Sequence, residues 1–443
     1  MATAALIHSE SKICAQAELD LFDVPPTLGQ VEKTTSIGYR PSSTLSDNNI
    51  IEFFVSGTGD EYMDLKETKL HLDVSIKKAD NTVVPLTADS ITEVIPQNNF
   101  LHTMFSQLDV FLNDKLVSTS NNLYPYRAYL ETLLNHGKDA IGSSLTCPLY
   151  YPETAGKLDE FSTENKSIQY RQRDAFRNRL FDMIGNLHSD MFHQKRYMLN
   201  NVDMKIRLMR SRNELCLMSN TVPADYKVII HQATLFVHKV KLVPSLMLAH
   251  AQMLTKQPAR YPFHRVEMKS FSIPSGTLAV NRDNLVLGQL PTHVIIGLVD
   301  ADAANGNYRK NPFNFKHYYV NHLSLQVGSE QIPSSPLQPN FKEKLTIREY
   351  QQLLDALGYW RTDKGIEVDR DTYSEGFTLY GFNLTSSSQQ CTEAFNLLRQ
   401  GNLQLNIKFA EAIPVSVSVI CHLTFQNMME VDQSRNIVFD YAI

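Results

Sequence analysis

The sequence predicts an all-β chain with short inserted helices, built as two tandem eight-stranded jelly-roll sandwiches, a double jelly roll. Three repeated segments carry that prediction. Leu108-Asp-Val110-Phe-Leu112 runs through a polar turn into a loop and then Arg127-Ala-Tyr129-Leu-Glu-Thr-Leu133-Leu134; Leu323-Ser-Leu325-Gln-Val327 does the same before Arg348-Glu-Tyr350-Gln-Gln-Leu353-Leu354. The offsets are 323−108 = 215 and 348−127 = 221. Val202-Asp-Met204-Lys-Ile206-Arg-Leu208 and Leu403-Gln-Leu405-Asn-Ile407-Lys-Phe409 form a third pair, offset 403−202 = 201. Elements recurring in one order mark two copies of one domain.

The elements follow in chain order. Residues 1–48 read as an N-terminal arm, with a short helical stretch at 15–22 stopped by Pro25-Pro26. Its apolar residues Leu19, Leu21, Phe22 and Val24 suit a chain lying on a surface. Residues 49–242 hold the first jelly roll. Ile50 to Val55 is a compact apolar run, and Leu70, Leu72, Val74 and Ile76 alternate with His71, Asp73 and Ser75, placing the aliphatic set on one strand face. Strands also fit Phe105 to Leu112, Val202 to Leu208 and Tyr226 to Val240. Tyr126, Tyr129, Leu130, Leu133 and Leu134 recur at helical spacing. The polar, aromatic-studded stretch 140–195 is expected to be a loop excursion with a short helix near Asp174 to Phe181.

Residues 243–262 read as a connector, with a helix over Ser245 to Leu254 capped by Ser245 and ended before Pro258. The second jelly roll, 263–443, offers runs at Val266 to Ile273, Leu285 to Leu290, His293 to Val299, Val320 to Val327, Gly376 to Leu384, Leu403 to Phe409, Val415 to Phe425 and Ile437 to Tyr441. About eight strands per half with one inserted helix fit two four-stranded sheets face to face. A parallel α/β fold needs helices between nearly all its strands.

Composition bounds function. The 443 residues are 43% hydrophobic and 20% charged, with net charge −5, which argues against a surface made to neutralise nucleic-acid phosphates. The cluster Arg171, Arg173, Arg177 and Arg179 includes Asp174 and reads as a loop or interface face. Five scattered cysteines make no zinc pattern or disulfide framework and point to a reducing compartment. No signal-peptide core or membrane-spanning run is apparent, so a protein made in soluble form inside a cell is expected. Asn383-Leu-Thr385, without a secretory signal, reads as coincidence.

Catalytic patterns are weak. His71-Leu-Asp73, with a distal histidine such as His102, has facial-triad spacing, but Leu70, Leu72, Val74 and Ile76 claim the core face. His188-Ser-Asp190 with His193 offers the same spacing in a polar loop. No nucleophile elbow, phosphate loop or zinc-protease helix is present. We expect no enzyme, metal or cofactor. Aromatic residues near loops and inserted helices fit either protein–protein burial, where arginine is also enriched, or plugs at the ends of their own sandwiches. The expected assembly residues are Leu19, Phe22, Tyr126, Arg127, Tyr129, Arg177, Phe313, Phe315, Arg348 and Tyr350, with inter-subunit contacts from loops 140–195 and 300–317.

Several stretches resemble Polinton (Maverick) and adintovirus-type major capsid proteins of the double jelly-roll lineage. They are Ser9-Glu-Ser-Lys-Ile-Cys14-Ala, Glu18-Leu-Asp-Leu-Phe-Asp-Val-Pro-Pro-Thr27, Tyr39-Arg-Pro-Ser and Gly57-Thr-Gly-Asp-Glu-Tyr-Met-Asp-Leu65. The most specific is Leu108-Asp-Val-Phe-Leu-Asn-Asp-Lys-Leu-Val117 with Tyr124-Pro-Tyr-Arg-Ala-Tyr-Leu-Glu-Thr-Leu-Leu134. The resemblance spans nearly the whole chain and is firmest over residues 9–135. It implies a structural subunit that forms homotrimeric, pseudo-hexameric capsomers, which contact neighbouring capsomers and penton or minor capsid proteins. Virion localisation follows, with no sequence-specific nucleic-acid binding. The other readings open at this point are a lectin-like β-sandwich, a cupin-type iron enzyme using His71 and Asp73, and a host-domesticated capsid gene.

Overall fold

The computed structural model describes residues 10, 21–22, 24, 27–45, 50–57, 59–84, 92–176, 180–221, 223–385 and 394–439. The first half contains β1 (Val31–Tyr39), β2 (Ile51–Val55), β3 (Glu61–Lys78), β4 (Val94–Pro96), β5 (Phe105–Leu112), β6 (Lys115–Leu116), β7 (Phe181–Asn186), β8 (Met204–Arg210), β9 (Leu217–Ser219) and β10 (Tyr226–Leu242). Its helices are α1 (Phe100–Thr103), α2 (Tyr124–Asn135), α3 (Lys138–Ile141), α4 (Lys166–Phe176) and α5 (Asn213–Cys216), and α6 (Pro244–Leu254) follows β10. The second half contains β11 (Ala259–Ile273), β12 (Ala279–Gln289), β13 (His293–Asp300), β14 (Val320–Val327), β15 (Glu330–Leu337), β16 (Leu379–Asn383), β17 (Gln400–Phe409), β18 (Val417–Val431) and β19 (Ile437–Phe439), with α7 (Ala301–Asn305) and α8 (Ile347–Ala356).

Among the described residues four main sheets result, ordered β1-β10-β3-β7, β2-β8-β5-β6, β11-β18-β13-β16 and β12-β17-β14-β15; β4 and β9 pair apart, and β19 extends β18. Without β4 and β9, the first-half strands count one to eight, and its sheets read 1-8-3-6 and 2-7-4-5. The second half gives the same two orders. This is the strand order of a jelly roll, made twice. The repeated sequence segments occupy equivalent places: β5 and β14 are fourth strands, β8 and β17 seventh strands, and α2 and α8 both follow the fifth strand.

Each roll has its own core. Phe53, Leu70, Leu72, Val110, Ile206 and Leu235 meet in the first; Val294, Ile296, Leu323, Leu405, Val419 and Leu423 meet in the second. A third apolar cluster lies between the rolls. Tyr126, Tyr129, Leu130 and Leu133 of α2 join Tyr150, Phe313 and Phe315, together with Val299 of β13, Leu353 of α8, Leu379 of β16 and Ile420 of β18. The sheet β11-β18-β13-β16 is therefore covered on both faces. Along β13, Ile296 and Leu298 feed the core of the second roll, while Ile295 and Val299 feed the joint. Burial on both faces explains why His293-Val-Ile-Ile-Gly-Leu-Val-Asp300 reads as a continuous apolar run rather than an alternating one.

The structure moves some expected elements. Val31–Tyr39, read as part of the arm, is β1 and pairs with β10 from Val31↔Leu242 to Tyr39↔Leu235. Its outer position and mostly exposed side chains leave little alternation to detect. The helix expected near 174–181 is α4, earlier in the chain, and Phe181 opens the edge strand β7. In α4 the buried stripe is Ile168, Arg171, Ala175 and Phe176, so an arginine sits where an apolar residue would have shown the period. α6 starts one residue earlier than expected, with Val243 at its N-terminal boundary and Pro244 in its first turn, and Ser245 does not cap it. β15 was missed because it carries Pro333 and Pro336. It is an edge strand, where a lost N–H is tolerated.

The closest packing at the joint is Tyr129 on Phe313, with ring centroids 4.2 Å apart and planes at 3°. Both side chains are fully buried. Tyr129→Ala empties that stack and is expected to destabilise the chain by about 3–5 kcal/mol, the cost of truncating a large core aromatic, measured as a lower urea midpoint.

Candidate functional site: the joint and the exposed surfaces

Helix α2 carries three of the expected assembly residues, Tyr126, Arg127 and Tyr129. Pro125 in its first turn leaves φ preset for a helix, and every side chain from Tyr124 to Leu134 is buried. Tyr126 and Tyr129 face Phe313 and Phe315, with Tyr126–Phe313 centroids at 5.7 Å. These four residues are interior side chains that join the two rolls within one chain. They do not stand on a free surface, where a subunit contact was expected.

Arg127 is also buried. Its Nε donates to Glu131 Oε1 at 2.8 Å and its Nη2 donates to Asp190 Oδ1 at 2.6 Å. The same Asp190 oxygen accepts the Val266 N–H of β11 at 3.0 Å, so the ion group ties the first roll to the second. Glu131 Oε2 lies 2.7 Å from His188 Nδ1 and 3.3 Å from His193 Nε2. Burial pushes the Glu131 carboxyl up, but the Arg127 charge and the two histidine hydrogen bonds outweigh it and hold it well below the usual range. Burial raises Asp190 despite Arg127.

The loop carrying these residues continues the tie. Gln194 Nε2 donates to Pro262 O at 3.1 Å, and Arg196 Nη1 donates to Arg260 O at 2.6 Å. Thus part of loop 140–195 acts within the chain: Leu145, Tyr150 and Leu158 enter the joint cluster. Loop 300–317 contributes Phe313 and Phe315 to the same cluster. Arg171, expected on a loop or interface face, is fully buried in helix α4 and paired with Glu153 at 2.9 Å. Arg173 pairs with its neighbour Asp174 at 2.6 Å. Arg177, Arg179 and Leu19 lie outside the described residues.

Other expected residues remain at the surface. Phe22 is 93% exposed, in company with Leu21, Val24 and Leu28. Arg348 is exposed, its guanidinium donating to Ser335 O and Pro336 O at 2.5 and 2.8 Å. Tyr350 is half-buried, its hydroxyl donating to Val368 O at 3.0 Å. The helix repeat makes Tyr126, Arg127, Tyr129, Leu130 and Leu133 equivalent to Ile347, Arg348, Tyr350, Gln351 and Leu354. The first five are buried; the second five are exposed or half-buried. Leu345 and Trp360, flanking α8, are exposed as well. Sequence reasoning missed this asymmetry, because a helical stripe does not reveal whether a neighbour within the chain covers it.

His71 and Asp73 project from the outer face of β3, with His71 Nε2 at 3.8 Å from Asp73 and 3.6 Å from Asp182. His102 lies elsewhere, with Nδ1 3.0 Å from the Tyr124 hydroxyl. The spacing His188-Ser-Asp190 does not form a ligand pair, since Asp190 turns to Arg127. Cys147, Cys216 and Cys421 are free thiols. No described helix is long and apolar enough to cross a membrane.

No model of a known protein family matches the chain. It is 26% identical over 405 residues to the uncharacterized protein F54H12.2 of Caenorhabditis elegans, covering 88% of this chain and 93% of that one. Among solved structures it is similar to a chain of the Sputnik virophage, with TM-score 0.61, 10% identity and coverage of 99% and 95%. The mavirus major capsid protein aligns at TM-score 0.57 and 12% identity over 99% of this chain and 97% of that one. A chain of the PBCV-1 virus capsid aligns at 0.55 and 10%, over 95% and 100%.

The histidines at the joint give it a pH dependence. Burial depresses His422 and His293 from about 6.5 to about 4, and His422 sits within electrostatic reach of Glu131 and Arg127. A base with a lowered folded-state pKa keeps its full contribution above the unfolded value and loses it as pH falls toward the folded value. Stability is therefore expected to drop by a few kcal/mol between about pH 6.5 and 4, and His422→Gln should flatten that part of a Tm-versus-pH profile. What the likeness to these solved chains shows is the architecture, and this chain has the double jelly-roll fold.

Proposed function

We propose that this chain is a major capsid subunit of the double jelly-roll type, assembling as homotrimers that present six similar sandwiches and tile an icosahedral shell. The observation that carries the reading is the unequal exposure of two equivalent helices. Helix α2 buries its Tyr126, Tyr129 and Leu133 face against the second roll of its own chain, whereas α8 leaves Ile347, Tyr350 and Leu354 only partly covered. A three-fold ring of two-roll subunits needs two kinds of joint, one within each chain and one between chains. In this reading α8 supplies the second, meeting the first roll of a neighbouring copy. Likeness over nearly the whole chain to a virophage chain, a virus capsid chain and a major capsid protein supports it.

The rest of the assignment follows the same reading. The first roll runs from β1 to β10 and the second from β11, which already begins at Ala259 within the expected connector 243–262, to β18, with α6 between them; the arm with Phe22 contacts adjacent capsomers or minor capsid proteins. The product resides in the virion, catalyses no reaction and belongs with Polinton-type capsid genes. The nematode relative favours a second reading, in which such a gene is carried and retained in an animal genome.

Mass separates these from a monomeric binding protein. Three copies of 50.4 kDa give a particle near 150 kDa by light scattering or native mass spectrometry. Ile347→Asp with Trp360→Asp is expected to shift that mass to a folded monomer. The charges are harmless in solution but costly within a buried obligate interface. A wild-type chain that stays monomeric at all salt and pH values overturns the proposal.

A further inference from the structure

We infer that Glu131, His188 and His193 form a site for one divalent transition-metal ion of the zinc class, which clamps the joint between the rolls. Two imidazole nitrogens and one carboxylate are a ligand set zinc accepts, with a fourth position left for water. The three ligand atoms all lie within 4.8 Å of one another. Glu131 Oε2 is 2.7 Å from His188 Nδ1 and 3.3 Å from His193 Nε2. Ligands around a tetrahedral zinc at its usual bond lengths stand about 3.3 Å apart, so small side-chain adjustments admit the ion.

The scaffold holds these atoms in place. Glu131 sits on the buried helix α2, its other oxygen fixed by Arg127 Nε at 2.8 Å. His188 follows β7, and His193 closes a single 3-10 turn, Asp190–His193, whose Met191 and Phe192 are buried in the first core. The backbone N–H of His188 donates to the Tyr124 hydroxyl at 3.4 Å, and the His102 ring packs edge-on to the His188 ring with centroids 4.6 Å apart. His193 is about half exposed, giving an ion a path from solvent.

Charge also favours a cation. Arg127 contributes one positive charge and Glu131 and Asp190 one negative charge each, leaving the buried group at −1 when its imidazoles are neutral. The same geometry without an ion has His188 Nδ1–H donating to Glu131. On metal binding that proton is carried at Nε2 instead, so His188 stays neutral and Nδ1 offers its lone pair. The ion would then link α2 to the loop that grips β11 through Asp190, Gln194 and Arg196. The expected effect is mechanical, a stiffer union of the two rolls.

The test uses the full-length, tag-free chain, dialysed against chelator and titrated with Zn2+ or Co2+. One ion per chain, a Co2+ visible-absorption band of a low-coordinate nitrogen–oxygen site and a zinc-dependent rise in Tm are expected. His188→Gln and His193→Gln should each weaken binding by more than about tenfold. His71→Gln, on the outer face of β3, should leave binding unchanged. Circular dichroism of His193→Gln, a half-exposed position, checks that the variant folds. Absence of the cobalt band and of any zinc-dependent Tm shift overturns the inference, as does binding that survives both joint substitutions. Either outcome leaves the trimer measurement untouched.

Discussion

Sheet β11-β18-β13-β16 has two faces to bury, and most of the architecture follows from how it does so. One face closes the second sandwich against β12-β17-β14-β15. The other meets the aromatic side of α2 and the segments around Tyr150 and Phe313. A jelly roll alone needs only its inner faces covered. Here the outer face of one roll is completed by an insertion from the other, so the two repeats act as a single body. Tyr129 stacked on Phe313 and the Arg127–Asp190 pair reaching Val266 are the apolar and polar halves of that union.

A buried ion pair is a costly way to join two domains, since desolvation offsets much of the Coulomb attraction. Its value here is registry. Arg127 donates to two carboxylates that come from different segments, and one of those carboxylates accepts a backbone N–H of the second roll. Sliding α2 along the sheet leaves at least one buried charge unmatched, whereas apolar contacts alone tolerate small shifts. His422, whose imidazole burial holds below its ordinary pKa, makes the same place responsive to protons. The packing that aligns the rolls therefore also concentrates titratable groups between them.

The duplication, the seventh-strand match and the helices α2 and α8 were legible in the sequence, because alternation and helical spacing survive wherever one face is buried. Phe105 to Leu112 is a strand with those bounds, and the α2 stripe lies within a helix. Edge strands were hard to read for a physical reason. β1 is exposed, β15 carries two prolines, and β7 hides within a polar excursion. Such strands need little hydrophobic patterning, since a single neighbour supplies their ladder. The apolar period of α4 is interrupted by Arg171, a charge buried against Glu153 and the Pro96 carbonyl.

Periodicity records local burial, so the chain alone shows that one sandwich occurs twice and which strand faces turn inward. What covers each outer surface emerges from the docking of the rolls. Tyr126 and Ile347 occupy equivalent helix positions, yet the first is buried and the second stands 40% exposed. Likewise Glu131 shows no special spacing to His188 or His193, fifty-seven and sixty-two residues away. Contacts between distant segments depend on how the rolls dock, and docking leaves no period in the chain.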